Sequence, residues 1–211
     1  MSREWLKYTR DCFMIKKKEM REPNVNSIRV RELVIGEGMP KICVPIVENT
    51  RTEILKMAKE IVNSSADMVE WRADWFESVF DLEKVVEVAA ELRGILGKLP
   101  LLFTFRTKAE GGEKEIEPAH YRELLIAVAA TSDVDMIDVE AFFDDDIAQL
   151  ICDLHEKDVV VVGSNHDFEG TPSKEEIIRR LCYMQDIGAD ILKMAVMPQK
   201  QSDVAMLMDA T

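Results

Sequence analysis

The chain is 211 residues long, 47% apolar and 32% charged, which fits a single soluble globular domain and excludes a disordered one. Its net charge of −13 argues against nucleic acid as a partner, because phosphate binding needs a basic surface. No apolar run reaches the roughly 20 residues of a membrane span, and no secretory signal is legible at the N-terminus. Cys12, Cys43, Cys152 and Cys182 are scattered without a C-x-x-C pair, so neither a disulfide framework nor a zinc site is expected, and a cytoplasmic location is.

The charge is uneven. Residues 1–31 hold nine Lys/Arg against four Asp/Glu, a net of +5, so the remainder carries −18. This start, with Trp5, Tyr8, Phe13 and Lys16-Lys17-Lys18, reads as a membrane-surface or targeting helix or as a solvated tail ahead of a later start such as Met20. It is set aside as a basic extension over 1–27, with the folded domain expected over 28–211.

From Ile28 the text becomes regular. Ile28–Ile35 reads as a short strand ending in the turn Gly36-Glu37-Gly38. Short apolar, β-branched or aromatic runs follow at 42–47, 68–71, 101–105, 136–139, 159–162 and 191–196, most without clean alternation, as buried parallel strands are. Amphipathic stretches lie between them, at 50–62, 81–96, 118–130, 144–156 and 173–187, with a last one at 202–211. Pro118 suits a first helical position, and Ser173 and Glu176 have the spacing of a capping box. Six strands, each followed by a helix, make a βα repeat and a parallel sheet. A doubly wound sheet usually carries a glycine-rich turn after its first strand, and Val47-Glu48-Asn49-Thr50 has none. A (β/α)8 barrel takes about 250 residues, so six units fit a barrel without its last two. Periodicity alone leaves both open.

Charged and polar residues gather where the apolar strands end, at the rim where barrel and α/β active sites are built. Glu70 and Arg72 are two apart and share a face. Arg106 follows Phe103-Thr104-Phe105, with Glu110-Gly111-Gly112 in the loop beyond. Ser164-Asn165-His166-Asp167 follows the fifth run, and Lys193 interrupts the sixth. An apolar strand would disfavour the ammonium form of Lys193 and expose an amine able to attack a carbonyl. The bland alternative is a snorkelling lysine, or one paired with Glu70 for structure. His166 suits proton transfer in both directions, whereas His120 and His155 lie in helical stretches and read as surface residues. Glu110 is placed to orient the His166 ring, or is a solvated loop acid beside Glu113 and Glu115. Arg72, Arg106 and Glu70 suit a polar anionic substrate, or a salt-bridge network inside the barrel.

Together these residues resemble a known family. Ile35–Ile42, Glu70-Trp71-Arg72-Ala73-Asp74, Phe105-Arg106-Thr107 with Glu110-Gly111-Gly112, Ser164-Asn165-His166-Asp167-Phe168 and Lys193-Met194-Ala195 are similar to the motifs of the type I 3-dehydroquinate dehydratases. The resemblance covers residues 28–211. It implies an aldolase-type TIM (β/α)8 barrel, its lower mouth plugged by an N-terminal hairpin. It also implies dehydration of 3-dehydroquinate to 3-dehydroshikimate, in the shikimate route to aromatic amino acids, with neither metal nor cofactor. On that pattern Lys193 forms the Schiff base, His166 is the acid–base group and Glu110 orients it, while Glu70, Arg72 and Arg106 hold the substrate. A homodimer is implied too. The family's last two strands bring a further arginine and a serine-and-glutamine lid; the sequence stops at Thr211 before them, so a C-terminally truncated barrel of about six units is expected. The alternatives are an inactive barrel serving as ligand-binding or assembly partner, and another Schiff-base lyase or aldolase.

Overall fold

A computed structural model describes residues 27–211; the basic extension expected at 1–27 lies, save for Ser27, outside the described residues. The text read as one short strand folds instead into a hairpin, β1 (Ile28–Val30) antiparallel to β2 (Leu33–Ile35), with Ile28 opposite Ile35. The strand breaks at Arg31-Glu32, where Arg31 takes a positive φ of 54°, as a two-residue hairpin turn requires.

Six βα units follow. The strands are β3 (Cys43–Ile46), β4 (Met68–Arg72), β5 (Leu101–Thr104), β6 (Met136–Glu140), β7 (Val160–Asp167) and β8 (Ile191–Val196). The helices are α1 (Arg51–Ile61), α2 (Leu82–Leu96), α3 (Pro118–Ala129), α4 (Ile147–His155), α5 (Lys174–Asp186) and α6 (Gln201–Ala210). All strand pairs are parallel and the sheet order is β3-β4-β5-β6-β7-β8. That order decides between the two architectures. A doubly wound sheet reverses direction at a switch point, whereas strands laid down in strict succession belong to a barrel wall.

Local chemistry sets the helix ends. Thr50 and Glu53 form a full capping box on α1, Asp81 accepts from the Lys84 N–H at the start of α2, and Pro118 opens α3. Ser173 caps α5 by accepting from the Glu176 N–H, but the Glu176 carboxylate turns to Arg179 and Arg180, so the expected box is only half made. Helix α4 starts three residues later than its pattern suggests. Asp144 accepts from the Asp145 N–H, a local bond that competes with helix formation.

Alternation along the strands sorts the side chains into two sets. Val69, Trp71, Leu101, Phe103, Ile137, Val139 and Val161 point outward and join Ile54, Leu92, Leu124 and Leu154 of the helices in the main core. The inward set begins with a second apolar cluster at the lower end, where Val30 of the hairpin meets Met68, Leu102, Met136 and Val162, with Ile28, Leu33, Ile35 and Ile191 against them. The hairpin therefore seals the lower mouth, and only above this layer do charged residues face inward. Among the described residues no helix is long and apolar enough to cross a membrane.

Met136 is fully buried in the sealing layer. Met136→Ala should destabilise the protein by about 2–5 kcal/mol, read as a lowered urea midpoint with an unchanged slope.

Candidate active site

Register brings the candidate residues together. Ser164 pairs with Lys193 and His166 with Ala195, so Ser164, His166 and Lys193 face the same side of the sheet. Glu70 pairs with Leu102, Arg72 with Thr104, and Glu140 with Ser164, which puts Glu70, Arg72, Thr104, Asp138 and Glu140 on that side too. His166 was expected just beyond the fifth strand, whose apolar run ends at 162. Strand β7 instead runs through Asp167, because Ser164–Asp167 pair with Lys193–Val196.

Lys193 sits between two carboxylates, its Nζ 3.5 Å from Glu70 Oε1 and 3.5 Å from Asp138 Oδ2. Glu70 is steadied on the same oxygen by the Thr104 hydroxyl at 2.8 Å. The apolar setting expected for Lys193 is not found. Its side chain is 35% exposed, and β8 stands at one edge of the sheet among the described residues. What distinguishes Lys193 is the pair of acids, one of them fully buried, aimed at its nitrogen.

Glu110 is not a solvated loop acid: its side chain is 11% exposed and turned onto His166. Its Oε2 accepts from both the backbone N–H and the ring Nδ1 of His166, each at 2.9 Å. A carboxylate only accepts, so in the neutral imidazole the proton lies on Nδ1 and Nε2 carries the lone pair. The glycines after Glu110 make this possible. Gly112 is so close to the Arg106 carbonyl that a Cβ would sit 1.9 Å from its oxygen. Gly111 adopts a φ of 84°, and a Cβ there would lie 2.4 Å from the Phe168 ring, which stacks near the imidazole at a centroid distance of 6.4 Å.

Arg106 lies beneath these groups, 3% exposed. Its Nη1 donates to Glu140 at 2.9 Å and to the Ser164 hydroxyl at 3.0 Å, while Nη2 donates to Asp138 at 2.8 Å. Arg72 forks onto Asp74, both bonds at 2.8 Å. Asp74 is fully buried and also accepts from the backbone N–H groups of Arg106 and Glu113. Both arginines thus belong to a salt-bridge network, the reading their sequence left open. Asp138 and Glu140 escaped the sequence reading, and Asp74 entered it only within a motif, without a role. The first two had a visible signal, acids at alternate positions in Met136-Ile137-Asp138-Val139-Glu140.

Burial alone would raise Asp138, but Arg106, Lys193 and the Ser164 hydroxyl outweigh it and hold its carboxyl below the ordinary value. Glu140 goes the other way. Burial pushes it up to about 7, against the pull of Arg106 and with a further push from Glu110. Among the described residues no group of three or more His, Cys, Asp or Glu could hold a metal.

The model of the type I 3-dehydroquinase family matches residues 42–211. The chain belongs to that family. Among its relatives, the 3-dehydroquinate dehydratase of Clostridioides difficile (strain 630) is 48% identical over 185 residues, which are 87% of this chain and 72% of the relative. That of Clostridium botulinum (strain Eklund 17B) is 50% identical, again over 87% of this chain and 73% of the relative. A crystal structure of the type I 3-dehydroquinate dehydratase from Clostridium difficile with covalently modified comenic acid superposes with a TM-score of 0.87 at 47% identity, covering 89% of this chain and 75% of that one. A likeness to the aldolase QR15, TM-score 0.57 at 16% identity, shows the shared barrel fold. As a type I 3-dehydroquinase family member the chain has the aldolase-type (β/α) wall expected for it, of which the described residues form six strands.

The two buried acids give stability opposite pH dependences. Unfolded Glu140 ionises near 4.5 and folded Glu140 near 7, so its contribution is complete below pH 4.5 and is lost as pH rises through 7. Asp138 contributes above its ordinary 3.8 and loses that contribution as pH falls through its lower folded value. Unfolding free energies from urea titrations between pH 4.5 and 7.5 should therefore fall in the parent protein relative to Glu140→Gln, by about 3 kcal/mol across the window.

Proposed function

We propose that the chain dehydrates 3-dehydroquinate to 3-dehydroshikimate through a Schiff base on Lys193, as a hydro-lyase of the shikimate pathway. The observation carrying this reading is the Lys193 amine between Glu70 and Asp138, on the same sheet face as a histidine whose Nδ1 is tied to Glu110.

In this mechanism the neutral Lys193 amine attacks the substrate ketone, and loss of water leaves a protonated iminium. Glu70 and Asp138 stand 3.5 Å from that nitrogen and favour the positive charge it acquires. The iminium acidifies the adjacent C–H, and His166 Nε2 removes that proton, the pair of electrons moving toward nitrogen to give an enamine. The imidazolium, its charge balanced by Glu110, returns a proton to the departing hydroxyl as the enamine electrons expel it. Hydrolysis of the conjugated iminium frees Lys193. The net reaction is loss of one water.

Glu70 accepts from substrate hydroxyls, while Arg72 and Arg106 supply positive charge for the substrate's anionic part. Asp74, Asp138 and Glu140 keep those arginines in place. The reading requires no cofactor. It includes a domain over 28–211, a homodimer, a cytoplasmic location and neither nucleic acid nor membrane as partner.

Borohydride added with 3-dehydroquinate should reduce the iminium and mark Lys193 with a stable adduct, seen by mass spectrometry. Lys193→Ala should lose both adduct and ultraviolet-detected turnover, and absence of adduct in the parent chain would refute the reading. His166→Ala should still form the adduct but turn over about 10³-fold more slowly. Adduct without turnover in the parent chain would favour the ligand-binding alternative.

A further inference from the structure

The Glu110 carboxylate that holds His166 is itself held, by groups outside the barrel interior. Its second oxygen, Oε1, accepts from the Asn165 side-chain nitrogen at 2.8 Å. Asn165 precedes His166 on β7 and so points to the opposite face, toward the helix layer. There its carbonyl oxygen accepts from Arg180 Nη1 of α5 at 2.9 Å. Arg180 is anchored by the Glu176 carboxylate at 2.8 Å and by Asp167 at 3.2 Å. The guanidinium can only donate, so it selects the amide orientation in which the oxygen faces α5 and the NH2 faces Glu110. Asn165 is 8% exposed, so an unpaired Glu110 oxygen beside it has poor access to water in compensation.

We infer that Asn165 and Arg180 are positioning residues for the proton-transfer step, with Arg180 fixing the Asn165 amide, Asn165 fixing Glu110, and Glu110 fixing the His166 ring. The inference rests on His166 being the acid–base group. It concerns that step alone, because neither residue contacts Lys193, Glu70 or Asp138 among the bonds that build the Schiff-base site.

The test uses the full chain and two variants, Asn165→Leu, which removes the link at nearly constant volume, and Arg180→Met, on the outer helix, which leaves Asn165 in place. Each should lower kcat about tenfold with KM within twofold. Borohydride trapping of Lys193 should proceed as in the parent chain. The His166 Nδ1 proton resonance, assigned by its absence in His166→Ala, should be lost to solvent exchange in both variants. A melting temperature that falls while kcat and the Nδ1 resonance stay at parent values in both variants would reduce the chain to a structural tie and overturn the inference. Full turnover by His166→Ala would instead sink the acid–base reading beneath it. The resonance depends on ring position and not on turnover, so it separates the two failures.

Discussion

A guanidinium enclosed in protein must be surrounded by acceptors, and Arg106 organises the interior of this barrel on that condition. It rises from the end of β5 and draws on Asp138 and Glu140 of β6 and Ser164 of β7. Three strands are thus tied above the sealed apolar floor by one side chain. The charges have to be there together: removing any acid would leave a buried cation under-compensated, and removing the arginine would leave two acids facing each other. Lys193 enters this arrangement through Asp138, and Glu110 lies 3.6 Å from the same arginine. With Glu70 of β4 on the other side of Lys193, the site is one electrostatic unit shared by five strands and a loop.

The stepped change along the inward face follows from this. Its lower positions are Met68, Leu102, Met136 and Val162, and two residues farther along each strand come Glu70, Thr104, Asp138 and Ser164. A single strand passes from oil to charge within one repeat of its pleat. Packing against the hairpin fixes the lower half, and ion pairing fixes the upper half.

Much of this was legible before any coordinates. Each βα unit announced itself because parallel strands covered on both faces are continuous apolar runs, and the rim residues stood out as interruptions to them. Two kinds of detail were hidden. The polar text Ser164-Asn165-His166-Asp167 looks like a loop by composition, and only pairing with Lys193–Val196 makes it strand. Likewise the acids that Arg106 meets, Asp138 and Glu140, lie 32 and 34 residues away, and no local pattern says which acid such an arginine will meet. Lys193 was singled out for its apolar neighbours in sequence, yet those side chains flank it along the strand while acids face its nitrogen. The sequence pointed to the strand neighbours of Lys193, and the structure adds the two acids at its nitrogen.

The register between β7 and β8 carries a consequence for how such a protein can change. Because alternate residues face opposite ways, a single-residue insertion within 160–165 would turn His166 toward the helices and bring Asn165 into the barrel. A two-residue insertion would keep the facing but lift the histidine by one pleat relative to Lys193. Gains and losses of length are therefore confined to the connections between elements, and descendants of this chain can vary the loops above the rim while the interval from Val160 to His166 keeps its count.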